Sequence, residues 1–170
     1  YGAWDKSPKS ETELVNPWVA GPYAVSKWCG EQIAPLAEGA GVKLSILRLS
    51  SLYGPDYPQG LIPRLLETGR KTGCIAVEPP FDDAFDLLNV GDAAKTVRKA
   101  VEHTASGLFN AGSSQLTTLA ELAETCAQQT KADLSLVDGV SPRQPRIINW
   151  VDDRKARSEL GHESSISLAN

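Results

Sequence analysis

The sequence predicts an α/β fold. Short apolar runs near residues 42–49, 74–77, 108–112 and 134–137 alternate with stretches of helical periodicity. Glycine and proline turns separate them. The chain has 170 residues, 41% of them hydrophobic, which is enough for one core and too short for two ordinary domains.

Residues 1–22 carry Pro8, Pro17, Gly21 and Pro22 among charges and read as a loop. A helix follows from about Tyr23 to Gly39, with Pro35 set to kink it or end it early. Val42, Leu44, Ile46 and Leu49 form the first strand, closed by the turn Gly54-Pro55-Asp56-Tyr57-Pro58. Leu61 to Gly69 is a short helix, Cys74 to Val77 a small strand, and Pro79 to Asp83 a loop. Asp92 reads as the N-cap of a helix running to Glu102, and Asp86 as a turn residue. Leu108–Gly112 is a strand ending in a turn, and Thr117 or Thr118 caps a helix from Leu119 to Gln129. Leu134–Val137 is a strand, and a short helix near Arg154–Leu160 is closed by Gly161.

The formal charge of −4 and the lack of a long basic run argue against a nucleic-acid or anionic-membrane partner. No apolar stretch approaches the roughly 20 residues of a membrane span, and the first ten residues do not read as a signal peptide. Cys29, Cys74 and Cys126 lie far apart and are odd in number, which suits reduced thiols in a cytoplasmic protein. His103 and His162 are isolated from each other and from the cysteines, so no metal site is expected. The chain has no methionine, so Tyr1 reads as a processed or trimmed start. No glycine-rich strand–turn–helix fingerprint is present; Gly39-Ala40-Gly41 sits at a helix exit ahead of a strand.

Tyr23 and Lys27 stand four apart at the start of a predicted helix and share one face. An ammonium beside a phenol favours the phenolate, and such a tyrosine passes a proton to or from a substrate oxygen near neutral pH. In isolation the pair also fits an ordinary exposed Tyr–Lys contact.

The surrounding segments change that balance. Pro22-Tyr23-Ala24-Val25-Ser26-Lys27 with Glu31 resembles P-Y-G-x-S-K-x-x-x-E, and Leu47 to Pro55 resembles L-R-x-x-N-x-Y-G-P. Tyr1-Gly2, Glu11 to Pro17, Asp86 to Ala94, Gly107 to Gly112 and Lys155 to Gly161 resemble five further segments in the same order. Together they are similar to the C-terminal half of the extended short-chain dehydrogenase/reductase family, the NAD-dependent epimerase/dehydratase group.

The resemblance implies the C-terminal part of a Rossmann-like doubly wound parallel sheet plus a small α/β substrate-binding subdomain. Residues 1–60 would belong to the NAD(P)-binding domain, and 61–170 mostly to the substrate subdomain, with 86–112 returning to the Rossmann sheet. It implies a cytoplasmic NAD- or NADP-dependent oxidoreductase or epimerase that transfers a hydride at a hydroxyl or carbonyl carbon. Tyr23 would be the acid/base, and Lys27 would bind the nicotinamide ribose and favour the phenolate. Leu49 and Ser50 would approach the nicotinamide. Ser51, Phe85 and Arg143 would meet the substrate, with Arg146 as an alternative to Arg143. The helix of Tyr23 and Lys27 would also supply a homodimer interface, with Trp28, Ile33 and Leu36 as apolar surface.

Two positions depart from the pattern. Ser51 stands where the family has asparagine, and Phe85 where it has a phosphate-binding arginine. Phenylalanine cannot make a charge-assisted phosphate contact, which raises a smaller or non-nucleotide substrate alongside a sugar or sugar nucleotide. A non-catalytic dinucleotide sensor or scaffold is the main alternative, and a proteolytic interaction fragment a third. Arg154, Lys155 and Arg157, with Arg143 and Arg146, read as a salt-paired surface, and Arg48 as an ion-pair partner. Cys29 reads as buried, and Trp18 and Trp28 as helix-packing residues. The family's Ser/Thr and glycine fingerprint would precede Tyr1, so the 170-residue chain alone is expected to bind NAD weakly and to be inactive. Isothermal titration with NAD tests this: no micromolar binding is expected, and micromolar binding contradicts it.

Overall fold

A computed structural model describes residues 8–137 and 148–168. A 3₁₀ turn at Pro17–Ala20 leads through Gly21 into α1 (Pro22–Ile33), with Pro22 in the first turn, where its missing N–H costs nothing. The helix tightens into a 3₁₀ segment, Ala34–Ala40, around Pro35, so α-helical bonding ends where the proline required. The first strand, β1 (Ser45–Leu49), begins later than the apolar pattern suggested, because Val42 is exposed.

All but one of the strand pairs are parallel. β1 runs beside β5 (Gly107–Ala111), with Leu47 opposite Phe109. At Ser50 the chain steps into β2 (Ser51–Tyr53), which pairs with β4 (Ala84–Asn89), Ser51 facing Leu87. β3 (Cys74–Val77) pairs with β7 (Asp133–Leu136). β4 also takes β6 (Leu116–Thr118) antiparallel and β8 (Ile148–Asn149) parallel. β2, β4, β6 and β8 have no counterpart among the strands that the sequence predicts.

Five α-helices cover these strands among the described residues: α1, α2 (Leu61–Thr72), α3 (Val90–Glu102), α4 (Leu119–Thr130) and α5 (Arg154–Leu160). Thr118 caps α4 in a reciprocal capping box with Glu121. The N-cap of α3 is Asn89, whose Oδ1 accepts the Gly91 N–H at 2.8 Å. Asp92, expected there, is instead a fully buried first-turn residue. Leu65, Ile75, Val77, Leu122 and Cys126 form the largest buried cluster, between α2, α4 and β3. Phe109, Ala100, Ala156 and Leu160 form a second under α3 and α5, and Leu88, Ala93 and Ala111 a third.

Asp86 is a fully buried mid-strand residue of β4. It is not a turn residue, as its type had suggested. Its Oδ1 accepts the Ser113 N–H at 2.6 Å and the Ser113 hydroxyl at 2.8 Å, and Oδ2 accepts the Val151 N–H at 3.4 Å. Burial pushes this carboxyl up despite those hydrogen bonds. Gly112 passes so close that a Cβ there would collide with Asp86 Oδ2 and lie 2.7 Å from Val151 Cγ2.

The segment after α5 is strapped across α3. His162 is buried, its Nε2 donating to Gly112 O at 2.7 Å and its Nδ1 lying 2.6 Å from Thr96 Oγ1. Asp92 Oδ2 accepts the N–H groups of Ser165 and Ile166 at 2.7 and 2.9 Å, and Lys95 donates to Oδ1 at 2.9 Å. Burial alone would raise the Asp92 carboxyl, but these bonds outweigh it and bring it down to about 2. Tyr53 completes the strap by donating its hydroxyl to Ile166 O at 2.9 Å.

Two outcomes follow from these contacts. Gly112→Ala forces a backbone shift at the Asp86 centre, so urea unfolding should show a loss of about 2–4 kcal/mol. Because Asp92 is depressed in the folded state, its contribution is complete above its ordinary pKa of 3.8 and is lost as pH falls toward 2. Asp92→Asn should cost about 1–3 kcal/mol at neutral pH and flatten the decline in stability over that acid window. An unchanged acid limb contradicts the assignment.

Candidate functional site

Gly21, at φ 87°, turns the chain into α1 and places Tyr23 in its first turn. Tyr23 and Lys27 lie on one helix face, with Lys27 Nζ 5.4 Å from the centre of the Tyr23 ring. Both side chains are exposed, Tyr23 at 74%. Ser26 stays local, its hydroxyl donating to Tyr23 O at 2.7 Å. None of the α1 side chains is buried, so the helix needs a specific anchor. Glu31 supplies it: Arg48 Nε and Nη2 reach the two Glu31 carboxylate oxygens at 2.9 and 2.6 Å. Arg48 is thus the structural ion-pair partner that its strand-end position suggested, and it fixes α1 against β1.

Leu49 ends β1 with 38% of its surface open. The next residue, Ser50, is buried, and its N–H donates to Ala111 O at 3.0 Å. The Ser50 hydroxyl is buried and meets no hydrogen-bond partner in good geometry among the described residues.

Ser51 and Phe85 come together through strand register. Ser51 is paired with Leu87, two residues along β4 from Phe85, so both project from the same face of the sheet. Phe85 is in turn paired with Thr117 on β6 and Asn149 on β8. Asn149 Nδ2 donates to Ser51 Oγ at 3.4 Å, which joins the end of β8 to the start of β2. Asn149 was missed in the sequence, because a lone asparagine in Ile147-Ile148-Asn149-Trp150 carries no spacing signal. Arg143 and Arg146 lie outside the described residues.

Other candidates resolve differently. Arg154 pairs with Asp152 and Arg157 with Asp153, as a salt-paired surface requires. Lys155 instead packs over the Phe109 ring at 4.5 Å and donates to Leu108 O at 2.8 Å. Cys29, expected to be buried, is exposed, and so is Trp18, at 74%. A cleft of about 1020 Å³ opens between the Tyr53–Pro58 turn, α2, α4 and the strap. None of Tyr23, Lys27, Leu49, Ser50, Ser51 or Phe85 lines it. Among the described residues no cluster of His, Cys, Asp and Glu is placed to hold a metal, and no helix is long and apolar enough to cross a membrane.

No curated protein matches the chain. Solved structures match its fold. UDP-glucuronic acid 4-epimerase from Bacillus cereus, in complex with UDP-glucuronic acid and NAD, is 21% identical with a TM-score of 0.80, over 98% of this chain and 54% of its own. DesIV, a dTDP-glucose 4,6-dehydratase from Streptomyces venezuelae with NAD bound, is 22% identical with a TM-score of 0.80, over 99% of this chain and 53% of its own. Pal from Bacillus thuringiensis is 23% identical with a TM-score of 0.74, over 98% of this chain and 56% of its own. The chain therefore spans somewhat over half the length of these solved relatives. The family model described as the NAD dependent epimerase/dehydratase family matches residues 1–112, which contain the Tyr23–Lys27 helix, the Arg48 strand and the Asp86 strand. This chain belongs to the NAD dependent epimerase/dehydratase family.

Proposed function

We propose that this chain carries the proton-transfer helix and the substrate face of an NAD-dependent oxidoreductase or epimerase acting on a sugar or sugar nucleotide. The observation that carries the reading is the exposed Tyr23–Lys27 pair on one face of an anchored helix. Family membership and the NAD-bound solved relatives support it.

The residues present suit a dinucleotide. Tyr23 and Lys27 offer a hydroxyl and an ammonium from one helix face, both open to a ligand, and Leu49 leaves an apolar edge at the end of β1. NAD, when bound, supplies the hydride acceptor. Tyr23 Oη then takes the proton from the reacting hydroxyl as its carbon loses the hydride, and returns it in the reverse step. Lys27 holds ribose hydroxyls from the same helix face. Ser51 and Phe85 face the substrate from one side of the β2–β4 sheet. Arg143, from beyond the described residues, completes the substrate set.

The domain division at residue 60 and a homodimer through α1 belong to the same proposal. The exposed apolar side chains Ile33 and Leu36, at 62% and 79%, support burial of that surface in the complete protein.

The experiment is turnover of UDP-glucose and UDP-glucuronic acid by the complete protein with NAD. Tyr23→Phe should lower kcat about 10²–10⁴-fold while NAD binding persists. Lys27→Ala should weaken both kcat and NAD affinity. A dinucleotide sensor would instead bind NAD without turnover in the wild type.

A further inference from the structure

Lys27 has two competing neighbours on its own helix. Tyr23 stands one turn before it and Glu31 one turn after, and residues four apart share a face of α1. Opposite charges at that spacing commonly pair, as Glu67 and Lys71 do on α2 and Arg98 and Glu102 on α3. Lys27 and Glu31 do not. Lys27 makes no ion pair among the described residues, and its Nζ lies 5.4 Å from the centre of the Tyr23 ring. Glu31 is engaged from another element instead. Arg48, on β1, brings Nε to one carboxylate oxygen at 2.9 Å and Nη2 to the other at 2.6 Å. Both side chains are largely covered, Arg48 at 15% exposure and Glu31 at 20%.

We propose that Arg48 is a positioning residue for the proton-transfer pair: by occupying the Glu31 carboxylate, it keeps the Lys27 ammonium beside Tyr23 and open to the cofactor. This role is separate from anchoring α1. The planar guanidinium serves both oxygens of Glu31 at once, which a point charge cannot do. Without Arg48, a largely covered carboxylate loses its counter-charge, and a covered anion gains more from a new partner than an exposed one does. Lys27, one turn away, then supplies that partner and leaves Tyr23.

This inference rests on the proposed use of Lys27 in cofactor binding, and a comparison of two variants of the complete protein tests it. Arg48→Met and the double variant Arg48→Met with Glu31→Gln both lack the anchor. They differ in whether a carboxylate stands beside Lys27. Because α1 buries none of its side chains, the buried clusters do not depend on the pair, and both proteins should fold. Arg48→Met should weaken calorimetric NAD affinity and lower kcat about 5–10-fold, the worth of one hydrogen bond. Adding Glu31→Gln should restore both to within about threefold of wild type, a non-additive gain that loss of an anchor cannot produce. A crystal structure of the complete Arg48→Met protein should show Lys27 Nζ within about 4 Å of the Glu31 carboxylate. The inference is overturned if the double variant is no better than Arg48→Met, or if Lys27 stays beside Tyr23 in that crystal. A wild-type protein that binds NAD without turnover defeats the catalytic reading alone, since NAD affinity still decides the role of Arg48. If NAD does not bind either, the place of Lys27 in the crystal decides it.

Discussion

The buried carboxylate of Asp86 is the contact on which the rest of the arrangement depends. It sits in the middle of β4 and gathers the chain after β5, through Ser113, and the chain after β8, through Val151. Ser50, where the backbone leaves the β1–β5 pair for the β2–β4 pair, stands beside it. A buried carboxylate is costly unless its lone pairs are used, and here the donors come from separate segments. The same atom forbids any side chain at position 112. The junction at Ser50, which separates the β1–β5 pairing of Leu49 from the β2–β4 pairing of Ser51, therefore lies beside one polar centre.

The two halves of the proposed site hang on this centre by different means. Ser51 and Phe85 are placed by backbone register, which a sheet specifies strongly because a one-residue slip would turn every side chain over. Tyr23 and Lys27 are placed by a helix that buries none of its side chains and is held by the Glu31–Arg48 pair. An ion pair with both partners largely covered is worth most when its geometry is bidentate, as it is here. Backbone register therefore fixes Ser51 and Phe85, whereas one ion pair carries the helix of Tyr23 and Lys27.

Much of this was legible in the sequence. The Tyr23 helix, the Arg48 ion pair, the Thr118 cap and the α5 terminus follow from local patterns that the structure keeps. Four strands were not legible, for three separate reasons. β2 and β8 are two or three residues long, and β6 reads as a threonine cap because Thr118 serves both strand and helix. β4 holds Asp86 and Asn89, whose residue types signal turns and caps when nothing shows that distant donors will satisfy them. Asp92 misled in the same way, since its partners Ser165 and Ile166 lie over seventy residues away.

The proposed reaction is a hydride transfer between substrate carbon and nicotinamide in the complete protein. The most direct measurement uses substrate deuterated at the reacting carbon with the complete wild-type protein and NAD. Deuterium is expected at C4 of the nicotinamide, transiently if an epimerase returns it to the product and permanently if a dehydrogenase does not. Product formed with its deuterium exchanged for solvent hydrogen, and none passing through the nicotinamide, would contradict it.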